Sequence, residues 1–339
     1  MSKPDRPQAP GFGLFSPIVY PINRQDWEDR ATPDEIVGVA QAAERCGFDY
    51  VTCGDHGVIP AVDLEAYGSG RFFDPIATLG YLAAATSRIG LATFVYQVHL
   101  RSPFVTAKSL ATLDLLSGGR VIAGFGVGSR RVEAEVAGVD FDSRGKIADE
   151  YITAIRRLWT SDVVAFRGRH VAFEDVVCAP RPVQQPHPPI WVAGKRAVSL
   201  RRAVRLGDAW VMAPWAVTRD EAAGLLARVR DGADWAARTT PMRVVAAIAP
   251  LGGRAPRGLP PTPIARPDDV ATERAIEAIE RWREIGATDF VVDLPAGSAG
   301  MLRDAIEWFG SQVAARLRGA TGPTAAPHHA ARGCVAESR

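Results

Sequence analysis

Cysteine is scarce in this 339-residue chain: Cys46, Cys53, Cys178 and Cys334 are the only four, and no two form a Cys-x-x-Cys pair. That spacing speaks against a zinc ribbon or a disulfide framework and fits a reducing, cytoplasmic setting. Charge of one sign is lacking too. Forty Lys and Arg face 38 Asp and Glu, a formal net charge of +2, so no broad field gathers polyanions and nucleic acid is not an expected partner. No apolar run approaches the roughly 20 residues of a membrane span. Met1 to Pro10 is polar and proline-rich, without the apolar segment of a secretory signal or anchor, so no membrane partner is expected either. The chain has no His-x-His, His-Glu-x-x-His or Gly-x-Ser-x-Gly. A metal site and a serine-hydrolase elbow are thereby disfavoured.

What is present is an apolar fraction of 47%, ample for a large core, in short β-branched runs alternating with helical patterns. Such alternation is the signature of parallel strands joined by crossover helices. The strands are expected at Gly11 to Ser16, Phe48 to Cys53, Arg88 to Phe94, Arg120 to Phe125, Pro189 to Ala193, Asp208 to Ala213, Met242 to Ala249 and Thr288 to Asp293. Helices are expected at Pro33 to Cys46, Asp74 to Thr86, Pro103 to Leu116, Ser143 to Thr160, Ala197 to Leu206, Arg219 to Ala237, Asp268 to Ile285 and Gly300 to Leu317. Thr32 caps the first of these helices and Ser117-Gly118-Gly119 stops the third. An acidic loop follows the fourth strand. A hairpin with arms Val163 to Arg167 and His170 to Phe173, then a proline-rich crossing from Pro180 to Pro189, interrupts the alternation before the fifth strand.

Eight strand and helix units suggest an α/β fold closed as a (β/α)8 TIM barrel. A doubly wound open sheet is the rival, but the first strand runs into Pro17 rather than a Gly-x-Gly-x-x-Gly turn. The expected organisation is one barrel domain over residues 11–318, with frayed tails at 1–10 and 319–339; His328 and His329 fall in the second tail.

Barrel chemistry sits at the carboxyl ends of the strands. The candidates there are Ser16, then Asp55 and His56, then Thr93, Tyr96, Gln97 and His99, then Gly126, Val127, Gly128 and Ser129, then Gly194, Lys195 and Arg196, and finally Trp215. Gly194-Lys195-Arg196 hands a strand over to a helix, so helix-start N–H groups and two cations could grip a phosphate; an ordinary glycine turn with solvated bases is the alternative. Gly126-Val127-Gly128 lets a flat group or a phosphate approach the backbone. His56 brings an imidazole, the side-chain type suited to proton transfer near neutral pH, and has a carboxylate neighbour in Asp55, although a structural histidine would read the same.

These segments together resemble the bacterial luciferase-like oxidoreductase family. The marks are Arg101-Ser102-Pro103, Ala107-Lys108, Leu113 through Arg120, Gly126-Val127-Gly128, Arg144-Gly145, Asp149-Glu150 and Leu158-Trp159-Thr160. Ala179 through Gln184, Pro188 through Val192 and Leu206-Gly207-Asp208 complete the set. The resemblance implies a TIM barrel that holds a flavin or the deazaflavin coenzyme F420 at its mouth. The ring would lie against a strand-three bulge near Thr93-Phe94, where members often carry a non-proline cis peptide, and the phosphate would lie on Gly194, Lys195 and Arg196. Gly54-Asp55-His56 is similar to the strand-two ending of deazaflavin-dependent members. An acid that related sugar-phosphate dehydrogenases carry after the strand-four glycines is here Ser129, which leaves His56 as the expected proton donor or acceptor, oriented by Asp55. Tyr96, Gln97 and Trp215 would line the substrate side.

The implied function is an F420-dependent oxidoreductase passing a hydride to or from a small organic substrate. The alternatives are an FMN-dependent monooxygenase supplied by a separate flavin reductase and a non-catalytic cofactor-binding protein. A homodimer is implied by resemblance alone. The loops Pro60 to Phe73 and Leu251 to Pro267 are long, and Tyr67, Phe72, Phe73 and Trp215 hint at an apolar or cyclic substrate.

Overall fold

The computed structural model describes residues 9–15, 26–64, 70–212, 216–251 and 269–319. Ser16, Tyr67, Trp215, Cys334, His328, His329, nearly all of both expected tails and the loop after Leu251 lie outside the described residues.

The strands are β1 (Gly11–Leu14), β2 (Tyr50–Cys53), β3 (Gly90–Thr93), β4 (Tyr96–Gln97), β5 (Val121–Gly126), β6 (Val164–Arg167), β7 (Ala172–Val176), β8 (Ile190–Ala193), β9 (Ala209–Val211), β10 (Arg243–Ile248) and β11 (Asp289–Val292). Eight of them run parallel in the order β3, β2, β1, β11, β10, β9, β8, β5, and β3 pairs with β5 to close the barrel. The closing register is Leu91 with Val121 and Ala92 with Ile122. The short β4 adds to the upper end of β5, Tyr96 beside Phe125 and Gln97 beside Gly126. β6 and β7 form a separate antiparallel hairpin. The strands run almost entirely buried because crossover helices cover them outside while side chains such as Phe12, Tyr50, Phe125, Trp191 and Phe290 fill the interior.

The helices are α1 (Asp26–Arg30), α2 (Pro33–Arg45), α3 (Pro75–Ala85), α4 (Pro103–Ser117), α5 (Arg131–Val136), α6 (Arg144–Thr160), α7 (Ala197–Leu206), α8 (Arg219–Arg230), α9 (Ala233–Ala236), α10 (Asp269–Glu284), α11 (Ala299–Trp308) and α12 (Ala315–Gly319). Their starts follow local chemistry. Thr32 and Glu35 form a capping box on α2, and the Asp74 and Ser102 side chains accept first-turn N–H groups of α3 and α4, each followed by proline. Gly118, at φ 69°, ends α4 as expected.

Three expectations change. The helix foreseen from Arg219 to Ala237 is broken by extended backbone at Gly232, giving α8 and α9. The last helix widens into a π stretch at Phe309–Ala314. The supposed acidic loop after the fourth strand contains α5, too short to show a periodic face in sequence.

Two buried polar clusters lock the frame. At the amino ends of the strands, Arg243 Nε lies 2.8 Å from the fully buried Asp289 carboxylate, which also accepts the Thr288 hydroxyl at 2.7 Å. Asp114 on α4 accepts the N–H groups of Val183 and Gln184 at 2.9 and 3.1 Å, fastening the proline-rich crossing to the barrel wall. Each charge is paired or hydrogen-bonded, as its burial demands.

Candidate active site

The chain leaves β2 into Asp55 and His56. Asp55 is 4% exposed. Its carboxylate takes a two-pronged bond from Arg101, at 2.6 and 2.8 Å, and the backbone N–H of Gln97 at 2.8 Å. Burial alone would lower the Arg101 pKa, but its bonds and attraction to Asp55 hold it above the ordinary value. The Arg101 guanidinium lies 4.5 Å over the Tyr96 ring. The expectation that Asp55 orients His56 is therefore corrected. Asp55 faces Arg101 and ties β2 to the segment after β4.

Glu133 of α5 lies beside His56 instead. His56 Nδ1 is 3.1 Å from Glu133 Oε1, and the same oxygen accepts Gln97 Nε2 at 3.0 Å. Burial pushes the Glu133 carboxyl up, but the bonds and charge of His56, with Gln97 and the Gly57 N–H, bring it below the ordinary range. Glu133 is thus a carboxylate at neutral pH. With Nδ1–H donating to it, the other ring nitrogen of His56 keeps its lone pair. The His56 side chain is 19% exposed and its ring centre stands 4.5 Å from that of Phe72. A buried carboxylate holding a part-exposed imidazole can store and pass a proton at Nε2.

Sequence reasoning missed Glu133, having placed the acid at the position of Ser129. Ser129 is exposed, and Glu133 stands one helical turn further along. A search for an acid within a turn of the glycines, rather than beside them, finds it.

The structure sorts the remaining candidates. Thr93 is fully buried, its hydroxyl donating to the Gly124 carbonyl at 2.8 Å and accepting the Gly124 N–H at 2.9 Å, so it joins β3 to β5. Phe94 packs edge-on against Phe15, and the cis peptide falls between Phe94 and Val95. Tyr96 and Gln97, expected on the substrate side, are 2% and 3% exposed. Tyr96 lies under Arg101 and near Phe125, while Gln97 donates to both the Asp55 carbonyl and Glu133. Gly126 is buried and Val127 partly so. Gly128 needs its lack of a side chain: φ is 59°, and a Cβ there would lie 2.0 Å from Gln97 Oε1.

Across the mouth, Gly194 has φ 150° and a Cβ would meet the Ser199 side chain at 2.5 Å. Its N–H donates to the Val211 carbonyl and its carbonyl accepts Trp210 Nε1 at 2.9 Å. That anchored turn presents Lys195 and Arg196, both exposed, at the start of α7. Among the described residues no group of three or more His, Cys, Asp or Glu is placed to hold a metal, and no helix is long and apolar enough to cross a membrane.

The family model for luciferase-like monooxygenases matches residues 12–256. An uncharacterised protein of Mycobacterium tuberculosis is 32% identical over 275 residues, covering 77% of this chain and 87% of its own. An F420-dependent hydroxymycolic acid dehydrogenase of the same organism is 34% identical over 212 residues, covering 60% and 55%. An FMNH(2)-dependent dimethylsulfone monooxygenase of Pseudomonas putida is 31% identical over 175 residues, covering 50% and 46%. Among solved structures, the monooxygenase RslO1 from Streptomyces bottropensis superposes with a TM-score of 0.72 at 23% identity, covering 91% of this chain and 100% of that one. With the closed parallel barrel and the family match in hand, the chain belongs to the luciferase-like monooxygenase family and is an oxidoreductase.

Proposed function

We propose that this protein is an F420-dependent oxidoreductase that moves a hydride between the deazaflavin and a carbon of a small organic substrate, with His56 taking or giving the accompanying proton. The observation that carries this reading is the His56 and Glu133 pair at the barrel mouth. The strand-two ending and the similarity to the F420-dependent relative support deazaflavin over flavin.

The residues present fit such a cofactor. The exposed Lys195 and Arg196 stand at a helix start suited to a phosphate, and the imidazole stands part-exposed beside Phe72, whereas the space over Gly126 and Gly128 is taken by the Val95 and Gln97 side chains. When bound, a deazaflavin supplies a carbon that exchanges hydride. The chain does the rest. Lys195, Arg196 and the α7 N–H groups hold the phosphate end, Phe72 gives the substrate an apolar wall, and Glu133 holds His56 with Nε2 available to the substrate oxygen or nitrogen.

Equilibrium binding of oxidised F420 and of FMN to the purified protein tests the reading, together with the Lys195→Ala, Arg196→Ala double variant. Tighter binding of F420, weakened roughly tenfold or more by the double variant, supports it; each lost charge-assisted bond is worth about 1 kcal/mol or more. Preference for FMN with oxygen uptake by the reduced flavin would move the assignment to a reductase-fed monooxygenase, the activity named for the Pseudomonas putida relative. Binding of neither overturns both.

A further inference from the structure

Beneath the mouth, Gln97 Oε1, His99 Nδ1 and Glu133 Oε2 have no hydrogen-bond partner among the described residues. The three residues are only 3%, 2% and 3% exposed. Gln97 and His99 meet at Gly128, and Glu133 adjoins Gln97. The position a Cβ would take on Gly128 is 2.0 Å from Gln97 Oε1 and 3.5 Å from His99 Cε1. Gln97 Nε2 is 3.0 Å from Glu133 Oε1, and the Glu133 charge acts on the His99 ring. Arg144 Nε, also buried without a partner, belongs to a side chain whose charge acts on the same ring.

The chemistry of these groups does not let them satisfy one another. The Gln97 amide spends its N–H groups on the Asp55 carbonyl and on Glu133, so its oxygen is left as an acceptor. The Glu133 carboxylate only accepts, and a neutral His99 offers Nδ1–H to one acceptor at most. Of the unpartnered groups only His99 Nδ1–H and Arg144 Nε–H can donate, and neither bonds directly to the Gln97 or Glu133 oxygen. A buried water brings two donors and one or two acceptors, and typically makes about three hydrogen bonds in such a place.

We propose that ordered water lies among these groups and joins Glu133 Oε2 and Gln97 Oε1 to His99 Nδ1, making His99 a positioning residue that holds the Glu133 carboxylate in place against His56. The catalytic meaning of this rests on the reading of His56 as the proton-handling group; the water and its partners are properties of the protein alone. The charged and titratable groups around His99 are Glu133 and Asp55, which favour its protonation, and Arg144 and Arg101, which oppose it.

A high-resolution crystal structure of the full chain is expected to show water within about 3.2 Å of His99 Nδ1 and of at least one of the two acceptors. Absence of such a water overturns the proposal. Carboxyl carbon NMR, with the Glu133 signal assigned through Glu133→Gln, gives a second reading. His99→Leu should raise the Glu133 titration by roughly one unit, since hydrogen bonds to a carboxylate lower its pKa. His99→Gln, which can still hold the water, should leave it within a few tenths. An unmoved Glu133 titration in folded His99→Leu also overturns the proposal, and if that variant does not fold the crystal structure decides. Failure of F420 to bind would remove the proposed function and leave both of these readings intact.

Discussion

Glu133 Oε1 lies 3.1 Å from His56 Nδ1 although 77 residues separate the two. The carboxylate is nearly inaccessible while the imidazole is partly exposed. That asymmetry holds the imidazole at the mouth by its buried side.

Replacing Glu133 by Gln keeps the shape and removes the charge. An amide can donate as well as accept, so Nδ1–H should no longer be the enforced tautomer of His56, read by nitrogen NMR of the ring; an unchanged tautomer would show that Glu133 does not set it. With an accepted substrate and bound cofactor, His56→Asn should lower turnover by about a hundredfold or more. Full turnover in that variant would end the assignment.

Arg101→Met leaves the Asp55 carboxylate buried without its cation. The expected loss is about 3 kcal/mol, below the upper end for a broken buried pair because the Arg101 side chain is 27% exposed. Urea denaturation measures it. A loss below about 1 kcal/mol would show that the pair contributes no more than a surface ion pair.

Gly128→Ala combines a left-handed backbone with a Cβ placed 2.0 Å from Gln97 Oε1. The strain and the displaced amide should cost about 2 kcal/mol together. The same denaturation series tests this, and a loss below about 0.5 kcal/mol would show that Gln97 moves aside without cost.

His99 has its pKa lowered from 6.5 to about 4, mainly by burial and then by Arg144. In the unfolded chain it protonates near the ordinary value, so between those limits the unfolded state binds more protons and stability falls as the pH falls. The contribution is intact above pH 6.5 and is lost toward pH 4 at about 1.4 kcal/mol per unit. Thermal melts of the wild type and His99→Gln should diverge in that window, with the variant less acid-sensitive. Parallel curves would mean that His99 titrates normally.

Much of the frame was legible because its causes are local. Runs such as Val121 through Phe125 and Ile190 through Val192 announce buried parallel strands, and Thr32, Asp74, Ser102 and Gly118 mark helix ends by the bonds or the φ they provide. His56 could be placed at the mouth because it follows such a strand directly. The family motifs in α4, in the crossing and around Gly207 were likewise short-range patterns.

The sequence by itself therefore determined the eight-stranded barrel and the family. Only the tertiary structure decided which rim residues meet. Asp55 and His56 are neighbours in the chain, yet one faces Arg101 and the other Glu133, because successive side chains of an extended segment diverge. Glu133 stands on a six-residue helix with no readable period, and its burial follows from the docking of α5 beside the end of β4 rather than from any pattern in its own sequence. Tyr96 and Gln97 turned inward for the same reason: the space available above β5, and not residue type, fixed where their side chains could go.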